Sequence, residues 1–508
     1  MPMRFFTCIV CTEFDGKRMM SELTKTSRSW RLATALLVAL GVLLASATIT
    51  QAQQRDLPSI GGLGGGLLSD RMEEDIGNQV MASIRRSARQ IHDPLVAEYL
   101  TSVVYRLVPY TPLNNRELTL VIIDDSAINA FAVPGNIVGV NGGLFLHALT
   151  EQQFGSVMAH ELAHLSQRHF ARRLEQQERS APLTAAGIIA GIVLTAVTGS
   201  DAGIAAIMGT QALSIQNMLS YSRAHEQEAD RVGLEIMTNA GLDPRGMPEM
   251  FEIMMRQARM QGSRIPEYLS THPLTESRVA DSRSRAEQFA DKPVADSHEY
   301  HLVRSRLQVR YSRNLDVAID AFRAHLRQPN AGQKDAARYG LAVALLADGK
   351  PAEARTLLEE LLSTNPNRIT YQVTLAETLQ VQGNLAEARE LMETALRRNP
   401  GNYPITDRLA HIENEAGNGS KAADYLRTLT RDYPQRENLW LRLAEAEGMA
   451  RNIVGVHRAR AEYDILMGDL EAAERQLRQA QERVPASAPL RQVISERLTE
   501  VSRRRGRS

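Results

Sequence analysis

Thr150-Glu151-Gln152-Gln153-Phe154-Gly155-Ser156-Val157-Met158-Ala159-His160-Glu161-Leu162-Ala163-His164 is the stretch on which the reading of this chain turns. Thr150, with Gln153 three residues on, forms a capping-box pattern, so a helix begins here. Two histidines four apart on that helix lie one turn above each other, about 40° apart round the axis. Their ring nitrogens can meet on one tetrahedral metal ion, and zinc is the usual occupant. Glu161, beside the first histidine, can reach a water on that metal and take its proton.

Such a centre needs a third protein donor and an open position for water. His169 is nine positions past His160; on a helix running to about Arg179 it faces away from the metal and reads as structural. A later helix, Ser222–Asn239, stopped by Gly241 and Pro244, carries Glu226, Glu228 and Asp230. Glu226 and Asp230 share a face, whereas Glu228 points elsewhere. One of the pair can bind the metal while the other hydrogen-bonds a ligand imidazole and fixes its tautomer. Spacing alone does not say which.

Outward from this site, 508 residues are too many for one core, so two or three domains are expected. The 59 basic and 59 acidic residues balance, which offers no case for nucleic-acid binding. Lys25, Arg28 and Arg31, the apolar run Leu32–Ala47 and the small residues at Thr50-Gln51-Ala52 read as a secretory signal peptide over 1–52, with Met19 or Met20 as the true start. Both cysteines, Cys8 and Cys11, precede that cut, and the mature chain is placed in the periplasm. Residues 53–68 form a Gly-rich linker. Arg71–Val108 reads as two helices about Asp93-Pro94, and Leu118–Ile123 as a strand. Ala130–Val133 and Ile137–Val140 flank Pro134-Gly135-Asn136 as a hairpin or kinked edge strand. Apolar stretches within 183–213 are too short to cross a bilayer and read as a buried helix pair or a peripheral membrane contact.

Past residue 295 the chain repeats. Gly349, Gly383 and Gly417 recur at intervals of 34, as do Ala354, Ala388 and Ala422, and Pro366, Pro400 and Pro434. That is the period of tetratricopeptide repeats, stacked helix pairs that form an α-solenoid. The next members, Gly468, Ala473 and Pro485, come after one and a half periods, so a helix-sized insert at Gly448–Ala461 is expected. Tyr300–Pro329 reads as one more, degenerate unit, the array as 295–500, and 501–508 as a frayed basic tail.

His160–His169 (HELAHLSQRH) and Glu226–Asp230 in an E-x-x-A-D pattern resemble the metallopeptidase family of HtpX and the CAAX prenyl proteases. The signal peptide, Asn129–Gly135 and the repeats make the chain similar to that family's periplasmic branch serving outer-membrane β-barrel assembly. The resemblance implies a mostly α protein: a zincin-like α+β metalloprotease domain at 69–294 with a small edge sheet, then the solenoid. It implies zinc, Zn2+, on His160, His164 and Glu226, with Glu161 as base and Asp230 orienting a ligand imidazole. It also implies that His272, in Thr271-His272-Pro273, is a further ligand in a resting state; His225 receives no role. The implied partners are unfolded or misfolded outer-membrane proteins and, through the repeats, the β-barrel assembly machinery. An extended substrate would pair with the edge strand around Phe131–Val140. Two other classes stay open. One is a holdase with purely structural zinc, which the presence of Glu161 argues against. The other is a membrane-embedded processing protease, which the short apolar stretches argue against.

Overall fold

The computed structural model describes residues 70–178, 222–260, 266–289, 294–328 and 333–506. The expected signal peptide, linker and 183–213 patch lie outside the described residues.

Helices α1 (Asp70–Ser87) and α2 (Pro94–Leu107) open the fold. Asp93 caps α2 by accepting the Leu95 and Val96 N–H groups, and Pro94 supplies the preset first turn. Strands β1 (Thr119–Ile123), β2 (Ala130–Val133) and β3 (Ile137–Asn141) form one sheet in the order β1-β3-β2. β3 pairs parallel with β1 and antiparallel with β2. The turn joining β2 to β3 runs through Gly135 and Asn136, both left-handed at φ 83° and 57°. A side chain on Gly135 would meet the Gly77 Cα of α1 at 2.8 Å, so α1 packs directly on this turn. Ile137–Val140 is therefore the centre of the sheet, hydrogen-bonded on both sides. The expectation of an edge from Phe131 to Val140 is corrected: only β2, of that stretch, lies at an edge.

Next come α3 (Gly142–His147), α4 (Glu151–Ser166) and α5 (His169–Glu178). The expected helix through Arg179 is instead two. It breaks at Gln167-Arg168, where Arg168 takes a left-handed φ of 51° and salt-bridges Glu73 on α1 at 2.5 Å. Then follow α6 (Arg223–Asn239), α7 (Gly246–Met260), α8 (Glu267–Thr271) and α9 (Glu276–Ala286). Gly233 lets α6 lie close on α4: a Cβ there would stand 3.4 Å from the His160 backbone.

The remaining helices are paired: α10 (His298–Arg310) with α11 (Leu315–Arg327), α12 (Lys334–Ala347) with α13 (Pro351–Thr364), and α14 (Ile369–Val381) with α15 (Leu385–Arg398). Then come α16 (Tyr403–Glu415) with α17 (Gly419–Asp432), α18 (Glu437–Met449) with α19 (Ile453–Met467), and α20 (Leu470–Glu482) with α21 (Pro489–Arg505). The expected insert shows as a shift of one helix: the turn before α19 places Arg451 at φ 58° where earlier pairs have Gly349, Gly383 and Gly417, and the next glycine turn, Gly468 at φ 78°, comes one helix later, between α19 and α20. The tail is also less frayed than expected: α21 runs to Arg505, with Arg504 paired to Glu500 and Arg505 to Glu474.

The first pair does not belong to the array alone. Tyr300 of α10 is fully buried against Tyr99, Phe145 and Phe154, with ring centroids 5.8–6.3 Å apart, and its hydroxyl donates to the Ala148 carbonyl at 2.9 Å. Val303 and Leu307 join the same apolar core. Arg306 reaches back to Asp93 at 2.5 Å and forward to Glu377 at 2.9 Å. Further along, Arg85 of α1 salt-bridges Glu437 at 3.2 Å and donates to the Leu466 carbonyl. Among the described residues, no helix is long and apolar enough to cross a membrane.

Candidate metal centre

The site stands on α4. Thr150 caps it by accepting the Gln153 N–H, and Gln153 reaches back to the Leu149 N–H at 2.7 Å. Two turns on, His160 and His164 point their Nε2 atoms into one spot, 2.9 Å apart. Ser222 caps α6 through the His225 N–H, which sets Glu226 in the first turn. Glu226 Oε1 lies 3.2 Å from His164 Nε2, and Oε2 lies 3.6 Å from His160 Nε2. His272, just past α8, brings Nδ1 to 3.1 Å from Glu226 Oε1 and Nε2 to 3.5 Å from Glu161 Oε1. Tyr268 stacks on its ring at 4.6 Å. All four donors are buried and offer ligand atoms within 4.8 Å of one another. A tetrahedral ion bonded at about 2.0–2.1 Å has donor atoms about 3.3 Å apart. The observed 2.9–3.6 Å brackets that edge, so these residues could hold a metal ion. Among the described residues, neither carboxylate oxygen of buried Glu161 has a hydrogen-bond partner, His272 Nε2 standing 3.5 Å off.

Charge around the donors is graded by their neighbours. Burial lowers the His160 imidazolium, but Asp230, 3.1 Å from Nδ1, and Glu226 outweigh it and raise it to about 9. Burial dominates for His164, which falls well below the usual range. Burial also opposes ionisation of Glu226, yet His272, His160 and His164 hold it well below the ordinary carboxylate value. Asp230 is lowered in the same way, against burial, by Arg278 and His160.

Arg278 was not singled out from sequence. It is buried on α9 and forks onto Asp230 with two bonds of 2.7 Å, lies 2.6 Å from Glu226 Oε2, and donates to the Pro273 carbonyl at 2.8 Å. His169 and Glu228 lie outside the donor group, as their spacing implied, but they meet behind His164. The break at Arg168 turns His169 back, so its Nδ1 lies 2.9 Å from His164 Nδ1 and its Nε2 lies 3.1 Å from Glu228 Oε2. Burial holds His169 down at about 4, so its ring is neutral at pH 7. His225, given no role, stacks on His169 at 4.5 Å. No Gly or Pro signals the break at Gln167-Arg168, so helical periodicity could not have found this contact.

Residues 94–286 match the sequence profile of peptidase family M48. Over these residues the chain is similar to the M48 peptidases. Tetratricopeptide-repeat profiles match 307–369, 381–446 and 454–479. The β-barrel assembly-enhancing protease of Escherichia coli (strain K12) is 38% identical over 315 residues, 62% of this chain and 64% of that protein. A putative β-barrel assembly-enhancing protease of Vibrio cholerae is 38% identical over 324 residues, 64% of this chain and 66% of its own length. The mitochondrial metalloendopeptidase OMA1 of Schizosaccharomyces pombe is 28% identical over 209 residues, 41% of this chain and 58% of that protein. The match thus spans a little under two thirds of the length of these bacterial relatives. The region matching M48, α+β with a three-stranded sheet, followed by an α-helical repeat array, is the fold class read from the sequence.

Proposed function

We propose that this chain is a zinc-dependent endopeptidase of the cell envelope that degrades misfolded or stalled outer-membrane proteins and assists β-barrel assembly. One observation carries the chemistry: three donors at tetrahedral spacing beside a buried carboxylate, Glu161, that accepts no hydrogen bond among the described residues. Two imidazoles and a carboxylate suit zinc, which, when bound, polarises a carbonyl oxygen and lowers the pKa of water. His160, His164 and Glu226 would hold it. Asp230 and its Arg278 clamp keep the His160 proton on Nδ1, leaving Nε2 to the metal. Glu161 accepts the proton of the attacking water and delivers it to the departing amine. A substrate strand pairs along β2, whose outer edge has no partner among the described residues. His272, the fourth member of the donor group, would fill the open ligand position and restrain the resting enzyme. The repeat array docks the assembly machinery or a client, and the names of the bacterial relatives support that placement.

The test is Glu161→Gln. The variant should keep about one zinc per chain and lose hydrolysis of an unfolded outer-membrane protein, whereas His160→Ala should lose the zinc too. Unchanged proteolysis by the Glu161→Gln protein would refute the mechanism.

A further inference from the structure

We propose that His169 and Glu228 are positioning residues that fix the tautomer and ring orientation of His164 through a hydrogen-bonded relay. The inference rests on His164 being a metal ligand, as argued above. An imidazole that offers its Nε2 lone pair to a cation must carry its proton on Nδ1. For His164 that proton is buried and faces His169 Nδ1 at 2.9 Å. His169 must then accept on Nδ1, which places its own proton on Nε2, against Glu228 Oε2 at 3.1 Å. Glu228 is held in turn by Arg172 at 3.2 Å, and the flat stack on His225 keeps the His169 ring from turning. Along this series each proton sets the place of the next. The opposite tautomer of His164 would point its proton at the metal and set two lone pairs face to face behind it.

The arrangement is built by the backbone. On an unbroken helix His169 would face away from His164; the left-handed Arg168 starts α5 in a new direction and brings the two rings together. A non-glycine residue in that conformation is an uncommon choice that the Glu73 salt bridge helps to hold.

Partners that orient a metal-bound histidine typically change metal affinity by about 10–100-fold. The full mature chain is titrated with zinc against a chromophoric chelator. His169→Phe, which fills the space without an acceptor, should weaken zinc binding about 10–100-fold, while His169→Asn, whose amide oxygen accepts, should restore it to within a few-fold. Glu228→Ala, at a partly exposed position that tolerates substitution, should weaken zinc by several-fold and serves if His169→Phe fails to fold by circular dichroism. Parental zinc affinity in folded His169→Phe or in Glu228→Ala, or Asn binding as weakly as Phe, overturns the relay. If His160→Ala also binds zinc normally, the metal reading itself fails; if His160→Ala loses zinc while these variants keep it, only the relay does.

Discussion

Replacing Arg278 with methionine tests how the site is held together without reference to catalysis. Methionine keeps the length and apolar stem but removes the fork onto Asp230, the contact with Glu226 and the bond to the Pro273 carbonyl. Two buried carboxylates, one helical turn apart, then face each other with no guanidinium between them. Breaking a buried pair by removing one partner costs about 3–5 kcal/mol. His160 and His272 still lie against these carboxylates, so about 3 kcal/mol is expected for the metal-free chain. The pH dependence has a fixed sign. Asp230 is depressed in the folded state, so its stabilisation is present above the ordinary aspartate value and is lost as pH falls through the lower folded one. The deficit of Arg278→Met should therefore be largest near neutrality and shrink as pH falls below about 4. Urea unfolding in a chelator, followed by circular dichroism at several pH values, measures it. A neutral-pH deficit below about 1 kcal/mol, or one that grows on acidification, would refute the reasoning.

Other expectations follow from single features. His272→Ala should raise proteolysis of an unfolded substrate, often self-directed, if His272 restrains the enzyme; a loss of about a hundredfold with zinc retained would make it a transition-state donor. Glu377 is held at about 2, burial opposing and Arg306 prevailing. Its stabilisation is present above its ordinary 4.5 and is lost as pH falls toward 2. Solvent reaches 28% of the side chain, so about 1–2 kcal/mol is expected, and Arg306→Met should shrink that acid slope in an unfolding series, Arg408 at 3.6 Å keeping part of it. Arg451→Gly relieves a left-handed residue and should raise the urea midpoint, worth about 0.5–1 kcal/mol after the entropy of glycine is counted. A fragment of residues 333–506 should be helical and soluble, whereas one beginning at 296 should aggregate, because Tyr300, Val303 and Leu307 leave their core; light scattering of the two decides.

What the sequence disclosed depended on the range of the cause. The α4 helix was legible because Thr150 and Gln153 announce its start locally, and the array because a 34-residue period survives even degenerate units. The convergence of Glu226 and Asp230 on the histidines followed from i, i+4 spacing, which any helix enforces. Illegible features came from backbone choices that the residue types do not advertise. Arg168 is left-handed where glycine would be expected, so one helix was read as continuous. Strand order was equally hidden: nothing in Ile137–Val140 says that β1 docks beside it and leaves β2 at the rim. Arg278 lies six residues past His272 and acquires meaning only when α9 folds against α6.

The position of Tyr300 bears on what a nick in the chain would do. A protease cutting between Val294 and Ser297 would sever the covalent link, yet Tyr300 would stay among Tyr99, Phe145 and Phe154. The salt bridges from Arg306 to Asp93, Arg310 to Asp124 and Arg85 to Glu437 also cross that cut. The two pieces should therefore travel as one particle through gel filtration and separate only in denaturant. A cut at this point would leave the two pieces assembled instead of releasing either one.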